Sequence, residues 1–151
     1  MDPRADRPGI VSARPAMTRE IAARTGLDDE ILDRLVRRFY DRVRRDALLG
    51  PIFADRITDW EPHLQRMVAF WSSVALMTGR YHGAPVPAHA GLPVTWTHFG
   101  RWLELFRATA REVCTPEGAA HVIDKAERIA RSLHMAVDEN RAAPGAPPRL
   151  R

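Results

Sequence analysis

The helical period of the apolar residues is the feature that most constrains how this chain can fold. In four stretches, apolar side chains recur every three to four positions, and no segment shows the sustained alternation of a β-strand. The stretches predict one helix over about residues 28–45, a second from its cap at Asp59 to Gly79, a third over about 97–113, and a fourth that begins at Thr115. The sequence therefore predicts an all-α protein.

Two segments between these helices are rich in glycine and proline. Residues 49–53, Leu-Gly-Pro-Ile-Phe, are expected to turn the chain after the first helix. Residues 80–94 contain too many glycines and prolines for a long helix, and leave at most a turn or two around His89.

The two ends of the chain differ from its middle. Four of the first fifteen residues are proline or glycine, and residues 1–16 lack an apolar period, so they are expected to form a mobile tail. Residues 142–151 contain three prolines and are expected to be a frayed terminus. A single domain is thus predicted over residues 17–141, which is long enough to bury one core.

Targeting signals and cysteines restrict the class of protein further. The chain has no run of about 18 apolar residues and no apolar leader in its first thirty residues, so a cytoplasmic protein without membrane partners is expected. Cys114 is the only cysteine, which excludes an internal disulfide, a cysteine-based zinc site and a C-x-x-C-H haem attachment. A cofactor would have to be held by packing and by one or two side-chain ligands.

The positive charge of the chain does not indicate a nucleic-acid partner. The net charge is +4, and the densest basic cluster alternates with three aspartates on the polar side of the first helix. A nucleic-acid footprint would instead gather basic residues alone on one face. The cluster is therefore interpreted as a solvated surface; its residues are Arg34, Arg37, Arg38, Arg42, Arg44 and Arg45, with Asp33, Asp41 and Asp46.

His89 lies in a short apolar segment that prolines bound on both sides, from Pro85 to Pro93. The flanking prolines restrict the backbone, which suits an imidazole presented to a metal or cofactor. A single neutral imidazole is a common axial ligand of haem iron. The alternative is a histidine bonded to a loop carbonyl, and the local sequence leaves both interpretations open.

Tyr40 and Trp102 carry polar groups on otherwise apolar helix faces. A buried phenol needs a hydrogen-bond partner, and an indole N–H can only donate. In an ordinary core the partner is a backbone carbonyl; in a pocket it is a bound molecule. Two such donors facing an imidazole would suit a bound dioxygen, since donors stabilise the negative charge that develops on it. His63, near the start of the second helix, points either into such a pocket or to water.

The order and spacing of several motifs resemble those of the bacterial truncated haemoglobins of the third group. The resemblance covers about residues 27–138, with a slight departure in the connector 54–59. The motifs are Phe-Tyr-Asp-Arg-Val-Arg-Arg-Asp at 39–46, Leu-Gly-Pro-Ile-Phe at 49–53, Trp-x-x-His at 60–63, Phe-Trp at 70–71, Tyr-x-Gly-x-Pro at 81–85, His-x-x-Leu-Pro at 89–93 and Trp-Leu-x-Leu-Phe at 102–106.

The resemblance implies a shortened globin, with two helices stacked over two around one non-covalent haem b. By its position, His89 matches the proximal iron ligand of the family. Tyr40 and Trp102 match its distal hydrogen-bond donors, His63 its distal or gating histidine, and Phe53 the phenylalanine that packs on the porphyrin.

Other residues are candidates for the wall of the haem pocket. Arg66 follows His63 by one helical turn, so the two project to the same side, and its guanidinium is expected either to reach a haem propionate or to lie in solvent. The apolar candidates each suit a core as well as a haem wall; they are Phe39, Met67, Phe70, Leu92, Phe99, Phe106 and Ile129.

Three functions are compatible with these residues. The favoured one is binding of dioxygen or another diatomic ligand at ferrous haem iron. The second is an enzyme on the same scaffold that reduces peroxide or oxidises nitric oxide; the chain has no dinucleotide fingerprint, so it would need a separate reductase. The third is a helical interaction module without a cofactor, which predicts colourless protein.

Overall fold

The computed structural model describes residues 14–81, 83 and 92–142, and within them the chain forms six helices and no strand. The expected short turn around His89 lies outside the described residues. The helices are α1 (Pro15–Thr25), α2 (Asp29–Arg45), α3 (Gly50–Arg56), α4 (Trp60–Leu76), α5 (Trp96–Val113) and α6 (Pro116–Ala142).

The long helices pack in two pairs. Helix α2 packs against α4, α6 packs against α5, and contacts between α2 and α5 join the pairs. The core lies between them and contains the predicted apolar stripe of α2, every member of which is buried. The largest fully buried apolar side chains are Phe39, Phe106, Leu27, Leu32, Leu35, Val36, Val43, Val122 and Val137. Among the described helices, none is long and apolar enough to span a membrane.

The start of α2 shows why this segment is helical. The Asp28 carboxylate accepts a hydrogen bond from the backbone N–H of Ile31 at 2.8 Å, which satisfies one of the free donors of the first turn. Asp29 and Glu30 follow in that turn, and arginines occupy the last one, so both ends complement the helix dipole. The predicted helix over about 28–45 is confirmed.

The segment after α2 is a correction to the sequence analysis. Residues 49–53 are expected from the sequence only to turn the chain, but Gly50 to Phe53 form the first part of the short helix α3, with Leu49 at the position before it. The Asp46 carboxylate accepts hydrogen bonds from the backbone N–H groups of Leu48 and Leu49, at 3.1 and 3.0 Å. A side chain at Gly50 would lie 2.7 Å from the Arg44 carbonyl oxygen, so only glycine permits this close approach of the two helices.

Helix α1 has no counterpart in the sequence analysis, and it begins at Pro15, inside the segment interpreted as a tail. The helix ends at Gly26, whose φ of 73° lies in the left-handed region. The Thr115 hydroxyl donates to the Thr25 carbonyl at 2.6 Å and accepts from the backbone N–H of Gly118 at 2.9 Å. One hydroxyl thus closes α1 and caps α6, where a helix start was predicted.

The ends of the remaining helices follow the predictions with three differences. Helix α4 ends at Leu76 instead of reaching Gly79, because Met77 already adopts a left-handed φ of 59°. Asp59 occupies the position before α4, but its side chain makes no capping hydrogen bond. Helix α5 begins at Trp96, one residue before the predicted start.

Candidate functional site

Tyr40 lies at the centre of an aromatic cluster formed by α2, α3 and the start of α4. Its side chain is only 6% exposed. Its ring centroid lies 5.0 Å from that of Phe39, 5.8 Å from that of Phe53, 5.9 Å from that of Trp60 and 5.2 Å from that of His63. The contacts with Phe39, Phe53 and His63 are edge to face, the geometry that the quadrupoles of aromatic rings favour.

The hydroxyl of Tyr40 forms no hydrogen bond with any of the residues that the structure describes. Burial raises the pKa of this phenol well above its ordinary value, because the charged phenolate would be poorly solvated. The group is therefore a protonated O–H donor at every physiological pH. A buried donor of this kind is costly unless something accepts its hydrogen bond.

Trp102, on α5, approaches the same region from the other pair of helices. Its ring stacks on Phe106 with centroids 5.5 Å apart and meets Phe39 edge to face at 5.3 Å. Phe106 stacks in turn on Trp71 of α4 at 4.8 Å. Within the described part of the chain, the indole N–H of Trp102 also has no hydrogen-bond acceptor. Trp102 is half-buried, so this edge of the core presents a second donor.

The predicted wall residues fall into two groups by their exposure. Phe39, Phe99 and Phe106 are 1%, 8% and 1% exposed, so other side chains of the protein cover their surfaces. The residues of the second group are partly exposed, and the apolar ones pack against the core. They are Phe53, His63, Met67, Phe70, Leu92, Trp102 and Ile129.

Arg66 lies on α4, three residues after His63, and its side chain is exposed. It forms no ion pair with the described residues. This distinguishes it from the arginines of α2, most of which pair with carboxylates. Arg37, for example, contacts Glu61 with both terminal nitrogens, at 2.9 and 2.8 Å, and its positive charge helps to lower the pKa of Glu61 to about 2.

Four of the histidines are described, and all four contact other residues of the protein. His98 accepts a hydrogen bond from the backbone N–H of Thr95 at the start of α5. A ring nitrogen of His121 lies 2.9 Å from the carbonyl oxygen of Ala75, and His134 lies beside a carboxylate of α6. His63 is the described histidine that joins the aromatic cluster. His89, the predicted iron ligand, lies outside the described residues.

Two features of this region were not predicted from the sequence. The first is the contact of Trp60, the first residue of α4, with both Tyr40 and His63; in the sequence it stood out only as part of a motif. The side chain of Asp46 was interpreted as a surface charge but is only 6% exposed, and Arg101 of α5 donates to it at 2.7 Å. An aspartate placed four residues before Gly50-Pro51 was the available signal, since it suits a helix cap.

Comparison with known proteins bears on this arrangement of helices and aromatic residues. A sequence profile of the bacterial-like globin family matches residues 23–137. The group 3 truncated hemoglobin ctb of Campylobacter jejuni is 32% identical to the chain over 109 residues, which cover 69% of this chain and 86% of that protein. The crystal structure of the group III truncated hemoglobin from Campylobacter jejuni superposes with a TM-score of 0.70 and 31% identity, and covers 74% of this chain and 91% of that one.

These matches agree with each other on the family and on the fold. The profile spans α2 to most of α6, the part of the chain that contains the aromatic cluster. The structural match confirms the predicted all-α architecture of a truncated globin. The chain therefore belongs to the bacterial-like globin family, as a truncated haemoglobin of the third group.

Proposed function

We propose that this protein binds one haem b without a covalent bond and holds dioxygen or another diatomic ligand at the ferrous iron. Membership in the globin family implies haem binding. The observation that carries the rest of the proposal is the hydroxyl of Tyr40, a buried donor that no described residue of the protein satisfies. When bound, haem would supply an iron atom that can hold such a ligand.

The candidate wall residues suit a haem in polarity, because partly exposed apolar side chains are joined by a cationic one. The partly exposed apolar side chains offer a wall for the porphyrin, with Phe53 and Leu92 from opposite parts of the chain and Met67 and Phe70 on α4. Ile129 belongs to the same half-buried class on α6. The exposed guanidinium of Arg66 is available for a propionate, which it would contact through two parallel hydrogen bonds.

His89 is the proposed iron ligand, and the assignment rests on its motif. The chain has a single cysteine, Cys114, which follows the end of α5, so the porphyrin would be held without a covalent bond, by packing, by this imidazole and by the Arg66 guanidinium. A neutral imidazole nitrogen is a suitable axial ligand.

Tyr40 and Trp102 act in this proposal as donors to the bound diatomic ligand. Negative charge develops on such a ligand, and preplaced O–H and N–H groups stabilise it without reorganisation. Phe39 and Phe106 would hold the two donors in position, because each is buried and packs directly against a donor ring. For His63, three roles remain compatible with its place: a bond to the ligand, a gate, and coordination of the iron.

Absorption spectra test the cofactor and the open coordination position together. Protein expressed with haem supply should show a Soret band in the ferric and ferrous forms, and the band should shift when carbon monoxide is added to the ferrous form. In His89→Ala the band should be lost or strongly weakened. His121→Gln is the matched control, because His121 already bonds to the Ala75 carbonyl.

Two outcomes would contradict parts of this proposal. Colourless protein whose thermal stability does not rise with added haem would favour the cofactor-free module, since a ligand of the folded state raises its stability. An unaltered iron spectrum in His89→Ala would remove the assignment of the iron ligand while leaving haem binding intact.

A further inference from the structure

Trp60 packs against Tyr40 and is itself partly exposed to solvent. It is the first residue of α4 and is half-buried. Its ring centroid lies 5.9 Å from that of Tyr40 and 5.6 Å from that of His63, which it meets edge to face. Tyr40 itself is 6% exposed, so the indole is part of what separates it from water.

An arginine covers the same indole. The guanidinium carbon of Arg44 lies 4.4 Å from the centre of the Trp60 ring, within the range of a cation–π contact. Arg44 is exposed and lies four residues after Tyr40 on α2, so the two residues project from the same face of that helix. The three side chains thus form layers, with the exposed cation over the half-buried indole and the indole beside the buried phenol.

The beginning of α4 is held to α2 by side-chain contacts alone. The side chain of Asp59, before the first turn, makes no capping hydrogen bond. Glu61 is bound through both of its oxygens to Arg37, which lies two helical turns before Arg44 on α2. The Arg37–Glu61 pair thus joins the residue next to Trp60 to α2 at the exposed surface, whereas the indole itself is held by ring contacts and one cation–π contact.

We propose that Trp60 is a lid over a route from solvent to Tyr40, that Arg44 latches it, and that together they limit the size of the molecules that enter. The proposal rests on the proposed function, since it concerns access to the pocket in which Tyr40 would meet a ligand. It assigns a role in access to two residues that donate nothing to that ligand.

Association rates of two probes of different size test the lid. Carbon monoxide and n-butyl isocyanide are mixed with the ferrous haem-loaded protein by stopped flow or flash photolysis. In Trp60→Ala, association of the isocyanide should rise about tenfold or more, because removing an indole opens a large gap, and association of carbon monoxide should rise less. In Arg44→Gln, the isocyanide rate should rise roughly two- to fivefold, the effect of losing one exposed cation–π contact.

Matched variants separate the latch from a general effect of charge or of packing. Arg45→Gln removes a neighbouring arginine whose side chain is 79% exposed and which pairs with Asp41, and it should leave both rates unchanged. Arg44→Lys keeps the cation and should restore most of the wild-type ratio. Trp60→Phe keeps a smaller ring in case Trp60→Ala does not fold, and should give an intermediate isocyanide rate.

The results that overturn the proposal are specific. A ratio of isocyanide to carbon monoxide rates that is the same in wild type, Trp60→Ala and Trp60→Phe removes the lid. An increase in Arg45→Gln as large as that in Arg44→Gln removes the latch.

A second measurement does not depend on the ligand. The indole N–H of Trp60 is observed by NMR in ¹⁵N-labelled protein, and its exchange with water should be faster in Arg44→Gln but not in Arg45→Gln. If the chain binds no haem, the proposed function fails while this exchange still reports on the latch. If haem and carbon monoxide bind but the exchange and the rate ratio do not change, only the lid fails.

Discussion

The ring of Phe39 meets the ring of Trp102 edge to face, with centroids 5.3 Å apart and planes at 89°. Tyr40, the next residue along α2, also packs against Phe39, at 5.0 Å. Because Phe39 is only 1% exposed, it is fixed by the core. One immobile ring therefore sets the spacing of the two donors that the proposed function requires.

Replacement of Tyr40 by phenylalanine removes a hydroxyl and leaves the ring contacts. We expect dioxygen to dissociate about tenfold faster or more, because a hydrogen bond to a group that gains charge contributes on the order of 1.4 kcal/mol or above, and 1.4 kcal/mol is a factor of ten. Stopped-flow displacement of dioxygen by carbon monoxide measures the rate.

The control for this variant is Tyr81→Phe, which removes the hydroxyl of the other tyrosine of the chain. The ring of Tyr81 packs against Phe70 and not against the ring of Tyr40, and its variant should keep the wild-type rate. Equal rates in Tyr40→Phe and wild type would show that Tyr40 does not bond to the ligand.

The raised pKa of Tyr40 predicts how this rate depends on pH. A group whose pKa is raised in the folded state keeps its proton above the pKa of the unfolded chain, which for tyrosine is about 10. The dioxygen dissociation rate should therefore stay level from about pH 6 to pH 10, whereas an exposed tyrosine donor would begin to fail near the upper limit. A rise in the rate with a midpoint below pH 10 would contradict the burial of this hydroxyl.

Trp102→Phe removes the indole N–H and keeps an aromatic ring against Phe106. Faster release of dioxygen, again by roughly tenfold or more, is expected from the loss of one donor. The double variant with Tyr40→Phe tests whether both donors act on one ligand. If they do, the two effects should not simply multiply, since residues that share a partner are coupled; strictly multiplied effects would assign one of them to packing.

The helices were predictable to the extent that each carries its own apolar stripe. The period of buried residues on α2 and α6 is strong, and both were placed from it. Helix α1 buries only Ile21 and Thr25 and is held by tertiary contacts, such as the bond from the Thr18 hydroxyl to the Leu76 carbonyl at 2.6 Å. A local sequence pattern does not predict a helix whose stability depends on a partner 58 residues away.

Asp46 should contribute to stability in a pH-dependent way. Burial alone would raise the pKa of its carboxyl, but the backbone N–H of Leu49 and the guanidinium of Arg101 outweigh burial and hold the pKa below its ordinary value. A lowered pKa means that the stabilisation is present above the pKa of the unfolded chain, about 3.9, and is lost as the pH falls through the folded-state pKa.

Asp46→Asn keeps an oxygen for Leu49 but loses the charge that Arg101 meets. Urea unfolding at pH 7 should show a loss on the order of 1–2 kcal/mol, and the difference from wild type should shrink below about pH 4. Asp41→Asn, in an exposed pair with Arg45, should cost much less. A difference that is constant from pH 7 to pH 3 would mean that the charge of Asp46 is not involved.

Cys114 should react slowly because burial disfavours its thiolate form. It lines an open cleft of about 600 Å³ beside Arg111 and Ile123, so reagents can approach it. Burial of the thiol nevertheless raises its pKa to about 11, and only the thiolate is nucleophilic. Alkylation by iodoacetamide at pH 8 should be roughly a hundredfold slower than for a free thiol with a pKa near 8.5. The rate should keep rising up to pH 11; a plateau near pH 9 would contradict the raised pKa.

The residue types of the candidate site could be selected from the sequence, whereas their contacts could not. Tyr40 and Trp102 were selected because each puts a donor on an apolar helix face, and the structure places both at the edge of the core without a described acceptor. The contact of Trp60 with Arg44 depends on how the start of α4 crosses α2, which no local pattern encodes. Asp46 looked like a surface charge because its partner Arg101 is 55 residues away.

The Thr115 hydroxyl bonds to both the end of α1 and the start of α6, and this has a consequence for folding during synthesis on the ribosome. The Thr25 carbonyl at the end of α1 cannot form its hydrogen bond with Thr115 until that residue, 90 positions later, has been made. Until then this carbonyl lacks the Thr115 hydroxyl, although α1 is made before the other described helices. Among the described helices, α1 should thus complete its docking only when the start of α6 has been made.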